Sequence, residues 1–323
     1  MVPRPAPCAR SFPLLRIFAA VWVQLALSGA IPAAQVVQKP FQGITWITRA
    51  ETNPRDLHIN VVLVDLGAPG IRFKLTQPGG TRETTRQTTV EFLRQEHAQV
   101  AVNAHFFVPF PSSNPDASLV GFAVSEGVAY SGFERPAQSY AIVPNAPALN
   151  ISRSNRAGIV HRNPAFVDGR HVIEDAQLWT TVAGSAQIVT EGVKTIPFYA
   201  DEAHPGGQLT PGGPGNYSNE KSWYNALYAR TAIGLTRDGR TLVVFTVDVR
   251  GGSAGMSVGE VADLLIRDYG VFNALNLDGG GSTTLAMEDP DKHAGVVRNV
   301  SSDNPNGRAV GSSLAIFATA VKN

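Results

Sequence analysis

Residues 241–282 read TLVVFTVDVRGGSAGMSVGEVADLLIRDYGVFNALNLDGGGS. The run Thr241–Asp248 is rich in Val and Phe and predicts a strand. Gly251-Gly252 breaks it. Ser257-Val258-Gly259-Glu260 is a capping box, in which the serine hydroxyl and the glutamate carboxylate each satisfy an amide of the first helical turn. Val258, Val261, Leu264, Leu265 and Tyr269 then recur at helical spacing, and Gly270 is a natural stop because glycine takes left-handed angles. Phe272–Leu277 predicts a second strand. Strand, helix, strand makes a βαβ unit, and a crossover of that length implies that the two strands run parallel. Their C-terminal ends, Asp248 and Asp278, then share the rim at which open α/β sheets bind ligands.

Upstream, Ala229–Thr236 and Thr241–Asp248 flank Arg237-Asp238-Gly239-Arg240. Asp-Gly between two β-type runs predicts a hairpin with left-handed angles at both central positions. That loop sets Arg230 opposite Val247 and delivers it to the same end of the sheet, on the face opposite Asp248. Leu57–Leu66 and Ile71–Leu75 predict strands. Thr88 and Glu91 form another capping box and open a helix to about His97. Gln99–Asn103 reads as the next strand and puts Asn103 and His105 at a strand exit. Tyr140–Val143 and Ala186–Thr190 are expected to be strands, Pro109–Ser118 and His204–Asn216 loops, and Ala309–Val321 a final strand. The expected fold class is α+β: one domain with a mixed β-sheet core, a C-terminal βαβ unit and flanking helices.

The 323 residues are 43% hydrophobic, enough for a sizeable core. With 27 basic and 26 acidic residues the net charge is +1, which argues against a nucleic-acid-binding face or a polybasic membrane patch. Arg4, Arg10 and Arg16 precede an apolar stretch from Ile17 to about Leu27 and the small residues Ser28-Gly29-Ala30. This is the pattern of a secretory signal peptide over residues 1–30, leaving 31–323 as the mature domain, secreted or periplasmic. The stretch is short for a membrane span, though an uncleaved anchor is the competing reading. The only cysteine, Cys8, lies in the leader. Cleavage leaves no thiol, hence no thiol catalysis and no cysteine-ligated zinc.

The sharpest motif is Asp278-Gly279-Gly280-Gly281-Ser282-Thr283. Consecutive glycines after a strand are useful where backbone approaches a ligand, and their amides can form an anion nest. No Gly-Lys-Ser/Thr follows, so it is not a P-loop. The plainer reading is a tight turn capped by its aspartate. The seven histidines are scattered without metal spacing. Asp248 and Asp278 could hold a hard cation such as calcium if they converge, but no ligand loop has recognisable spacing, and no metal or cofactor is expected.

The segments Asn103-Ala104-His105-Phe106-Phe107, Arg230-Thr231-Ala232-Ile233-Gly234, Thr246-Val247-Asp248-Val249-Arg250, Gly255-Met256-Ser257, Asn276-Leu277-Asp278-Gly279-Gly280-Gly281-Ser282 and Asn299 to Arg308 occur in that order. Together they resemble the phosphodiester glycosidase family. Ala104 and Val249 stand where that family usually has glycine. The resemblance implies hydrolysis at an anomeric carbon whose leaving group is a phosphate ester, in a sugar phosphodiester such as that of N-acetylglucosamine, or in an exopolysaccharide. It implies a phosphate clamp at Arg230, with Arg250 and Arg308 as further candidates. Asp278 would be nucleophile or base, and Asp248 would take the second acidic role. Gly279, Gly280, Gly281, Ser282 and Thr283 would supply amide and hydroxyl donors, and Asn103 and His105 would touch sugar or phosphate. Two other readings compete: an ordinary glycoside hydrolase acting on extracellular polysaccharide without phosphate, and a non-catalytic polysaccharide-binding or assembly protein.

Overall fold

In the computed structural model, which describes residues 1–2, 34–133, 140–213, 215–289 and 291–321, alternate residues of the strand Thr241–Val247 enter two different hydrophobic cores. Leu242 and Val244 go to one, Val243, Phe245 and Val247 to the other. A strand buried on both faces needs no polar alternation, which is why residues 242–245 form an unbroken apolar run.

The strand belongs to an eight-stranded sheet in the order Ala34–Phe41, Ile44–Glu51, Leu57–Asp65, Thr241–Val247, Arg230–Thr236, Val271–Asn276, Ala186–Thr190 and Val193–Lys194. On one face lies the helix Val258–Tyr269, contributing Val258, Val261, Ala262, Leu264 and Leu265 to the core. The other face packs on a five-stranded sheet through Val62, Val64, Ile233 and Leu275 against Leu75, Val100, Val102 and Leu314. That second sheet has the order Ala294–Val297, Leu285–Asp289, Val100–Asn103, Ser313–Phe317, Arg72–Leu75. Its far side carries the helix Thr89–Glu96 through Val90, Phe92 and Leu93. The layers are therefore helix, sheet, sheet, helix, with a further five-stranded sheet joining the central core through Leu149, Ile151 and Val182. Both capping boxes form, at Thr88 with Glu91 and at Ser257 with Glu260, and Gly270 closes the longer helix at φ 62°. Residues Ala33–Asn323 cluster as one unit.

Four expectations change. The core is not a mixed sheet, because every ladder between strands is antiparallel. Thr241–Val247 and Val271–Asn276 do run the same way, but Arg230–Thr236 lies between them, antiparallel to each. A helix about 10 Å wide bridges two strand spacings of about 4.8 Å, so the crossover spans the intervening strand. The hairpin has the expected register, Arg230 opposite Val247, but a different turn. Only Gly239 is left-handed (φ 65°), while the Asp238 carboxylate accepts from the Thr236 hydroxyl and the Arg240 amide. Residues 140–143 form a turn and not a strand. The last strand breaks into Ala309–Val310 and Ser313–Phe317, and at Gly311, between them, a side chain would meet Phe107 at 2.5 Å.

The expected signal peptide falls on residues outside those described. Among the described residues no helix is long and apolar enough to cross a membrane.

Two-sided burial predicts that neighbours on one strand are both costly to truncate. Phe245→Ala should destabilise by about 3–5 kcal/mol and the adjacent Val244→Ala by about 2 kcal/mol in urea unfolding. A sheet with one solvated face would show only one of the two losses.

Candidate active site

Backbone from three strand ends meets at the side chain of Asn103, which is fully buried. Its Nδ2 donates to the carbonyl of Asp278 (2.7 Å), and its Oδ1 accepts from the Thr231 hydroxyl (2.8 Å) and the Thr284 amide (3.0 Å). The Asp278 amide donates to the Ala104 carbonyl. These bonds set the point where the chain leaves Val271–Asn276 and turns. The Ala104 methyl lies in the central core and leaves both backbone bonds of that residue intact.

The turn Gly280–Ser282 is a single 3-10 turn, entered with Gly280 at φ 59°. Its amides are largely consumed: Gly280 donates to Ala229, Ser282 to Gly279 and Thr283 to Gly280. Most of the expected anion nest is thus a self-bonded turn, and the Ser282 hydroxyl lies beside the Asp278 carboxyl. Gly281 is glycine for another reason. A Cβ there would meet Nη2 of Arg308 at 2.3 Å, so a side chain would have to displace the guanidinium that sits against the turn. Nη1 of Arg308 is 3.4 Å from Ser282 Oγ, and the Phe110 ring sits 4.9 Å from the guanidinium carbon.

Asp278, Gly279, Gly280, Gly281, Ser282 and Arg308 line one side of a cavity of about 400 Å³. Burial pushes the Asp278 carboxyl up to about 7, against the opposing pull of the Ser282 hydroxyl, the Arg308 charge and the Gly279 amide. The facing wall is aromatic: Phe106, Tyr140, Tyr217, Trp223 and Tyr228. Phe106 meets Trp223 edge-on at 5.6 Å, and Tyr140 stacks on Tyr217 at 5.9 Å. A larger groove of about 780 Å³ opens beside Ile44 and Thr241, but it contains none of these motifs.

Six predicted residues lie off this surface. Arg230 is fully buried behind the aromatic wall, its guanidinium 4.6 Å from the Trp223 ring and 5.3 Å from that of Tyr228. It donates to the carbonyls of Met256, Trp223 and Ala226, and its Nη1 has no partner among the described residues. Burial lowers it to about 10. Asp248 points to the opposite face, as strand alternation requires. Its Oδ1 accepts from Asn299 Nδ2 and the Val300 amide, both at 2.9 Å. Asn299 also donates to the Thr283 carbonyl, so Asp248 braces the glycine turn from behind. Burial raises its carboxyl above the ordinary range. His105 is enclosed between Ser312 Oγ and the Ala183 amide, and burial lowers it to about 4, keeping the ring neutral. Arg250 pairs with Asp303 on the surface. Thr283 is buried beneath the turn. Asn103 spends its polar atoms on protein. Sequence reading missed the aromatic wall, whose members come from four separated segments; the single hint was the turn-rich loop before Tyr217. Among the described residues no group of three or more His, Cys, Asp or Glu could hold a metal ion.

The family described as phosphodiester glycosidase matches residues 96–317. The human N-acetylglucosamine-1-phosphodiester alpha-N-acetylglucosaminidase is 30% identical over 212 residues, 65% of this chain and 36% of its own length. Its mouse counterpart is 43% identical over 63 residues, 20% of this chain and 12% of that protein. The chain thus spans about a third or less of these relatives. A zebrafish structure of the same enzyme, its catalytic domain auto-inhibited by pro-peptide, superposes with TM-score 0.54 at 18% identity, covering 90% of this chain and 85% of that one. A hypothetical protein from Synechocystis gives 0.59 at 18% identity, covering 85% and 62%. At these identities the structures share the fold.

The raised Asp278 carboxyl makes a signed stability prediction. Its folded value lies above the ordinary carboxylate value of about 4, so its stabilising share is complete below pH 4 and lost as pH rises through about 7. Asp278→Asn should therefore raise Tm at pH 8 and lose that advantage near pH 4. A variant less stable than wild type at pH 8 would contradict the desolvated carboxylate.

Proposed function

Because the chain belongs to the phosphodiester glycosidase family, we propose that it is a hydrolase releasing a sugar from a sugar-1-phosphodiester, with Asp278 as nucleophile or base and Arg308 as the phosphate clamp. The observation that carries this reading is one cavity pairing a desolvated carboxylate with a guanidinium set against the glycine turn. The names of the relatives suggest N-acetylglucosamine as the sugar. The leader predicted by sequence suggests an exported glycan as its source.

The chemistry suits these groups. Water adds to the anomeric carbon, the bond from that carbon to the phosphate oxygen breaks, and the electron pair departs with a phosphate monoester. Such a leaving group needs little help from a general acid. The transition state instead needs a negative charge near the oxocarbenium-like carbon and a cation at the departing phosphate. Asp278 supplies the first, either by direct attack or by taking a proton from water. Arg308 and the Ser282 hydroxyl supply the second, a guanidinium matching two phosphate oxygens at once. Arg230 stands behind the aromatic wall as a fixed positive charge that favours an anionic substrate, and Asp248 holds the turn through Asn299.

A second reading, a glycosidase acting on polysaccharide without phosphate, is favoured by the aromatic wall, because sugar rings stack on Trp and Tyr faces irrespective of any phosphate.

Purified protein should release sugar from N-acetylglucosamine-1-phosphodiesters and not from the matching p-nitrophenyl glycosides. Release from the plain glycosides would favour the second reading. Asp278→Asn should lower kcat by about 10²–10⁴, and Arg308→Gln should lower it by about 10²–10³. As nucleophile or base, Asp278 must be ionised. The rate should therefore climb with pH through an apparent value of about 7. A limb falling through that value would give Asp278 the role of acid.

A further inference from the structure

Phe106 and Phe107 are consecutive residues of the strand Phe106–Val108, so their rings leave on opposite sides. Phe106 joins Trp223 in the aromatic wall facing Asp278. Phe107 turns the other way and meets Phe110 edge-on at 5.7 Å. Both pairs, Phe106 with Trp223 and Phe107 with Phe110, line the cavity together with the glycine turn and Arg308, whose guanidinium carbon is 4.9 Å from the Phe110 ring.

The surroundings of the two pairs differ in chemistry. The Trp223 side offers the hydroxyls of Tyr140, Tyr217 and Tyr228 as well as ring faces, which is what a hydroxylated sugar requires. Among the described residues lining the Phe110 side, Phe110 and Pro111 present no hydrogen-bonding side chain. Phe110 is 49% exposed, unusual for a phenylalanine whose ring is held in place. It is held by Phe107 and by Arg308, while Arg86 donates to the Pro109 and Ser112 carbonyls and so fixes the loop.

We propose that Phe110 and Pro111 form the leaving-group subsite, and that it takes an apolar aglycone, one esterified to the phosphate seated on Arg308 and Ser282, in preference to a second sugar or a polyol. This rests on the phosphodiester reading above. A phosphate bound by Arg308 would direct one ester oxygen toward Asp278 and the Tyr and Trp side chains of the lining. The substituent on its other ester oxygen lies on the Phe110 side, where an apolar group covers the exposed ring and a polyol would lose hydrogen bonds to water without replacement.

The product of the reaction is the aglycone phosphate monoester, so the subsite can be probed without knowing the sugar. Calorimetric titration of the full chain with benzyl phosphate, glycerol 1-phosphate and inorganic phosphate is the test. Benzyl phosphate should bind about tenfold more tightly than glycerol 1-phosphate. Phe110→Ala should abolish that difference, read as the ratio of the two ester affinities with inorganic phosphate as the common reference, and Phe110→Trp should keep it. Arg308→Gln should weaken all three ligands. Equal affinity for the two esters, or a preference that survives Phe110→Ala, overturns the apolar subsite and leaves the phosphate seat standing. Failure of all three to bind a folded protein overturns both the subsite and the phosphodiester reading beneath it.

Discussion

One buried carboxamide holds the site together. Asn103 ends a strand of the smaller sheet, Thr231 lies in the larger one, and Thr284 and Asp278 bracket the glycine turn. Its three hydrogen bonds fix the distance between two sheets at the one place where their strands end side by side. A group with only donors or only acceptors could not do this, and an apolar one would leave the Thr284 amide and the Asp278 carbonyl unpaired in the interior. The orientation of the Asp278 carboxylate, the seat of Arg308 and the start of the aromatic wall at Phe106 all depend on where that side chain pins the backbone.

The chemistry is divided between groups that touch the cavity and groups that shape it. Asp278, Ser282 and Arg308 touch it. Arg230, Asp248 and His105 do not, although each is a polar group buried at some cost. Each is coupled to a different part of the rim: Arg230 to Trp223 through a carbonyl and a ring face, Asp248 to Thr283 through Asn299, His105 to Ser312 beside the break in the last strand. The walls around Asp278 are thus held in place by a second tier of buried polar groups as well as by hydrocarbon.

Much of this was legible in the sequence. The two capping boxes, the Gly270 stop and the register that sets Arg230 opposite Val247 are local signals, written within a few residues of each other. Alternation even placed Arg230 and Asp248 on opposite faces. The intervening strand was not legible, because βαβ logic gives the direction of two strands and is silent about a third that slips between them. The roles of the buried polar residues were not legible either. Whether Asn103 or Arg230 faces solvent or protein depends on Thr231, Thr284, Trp223 and Met256, which come from distant segments. The aromatic wall escaped for the same reason, since Phe106, Tyr140, Tyr217 and Trp223 have no common spacing.

The order of the large sheet has a kinetic meaning. Its middle ladder joins Ile59 to Val247, and its smaller partner joins Val100 to Ile316. Pairings of such high contact order close long loops before any native contact rewards them, which makes assembly slow. The nascent chain can complete neither sheet until these late strands have emerged. Asn103, which holds the Asp278 carbonyl, ends a strand paired with Ser313–Phe317, so the position of that turn depends on a ladder that closes one of the longest loops in the chain.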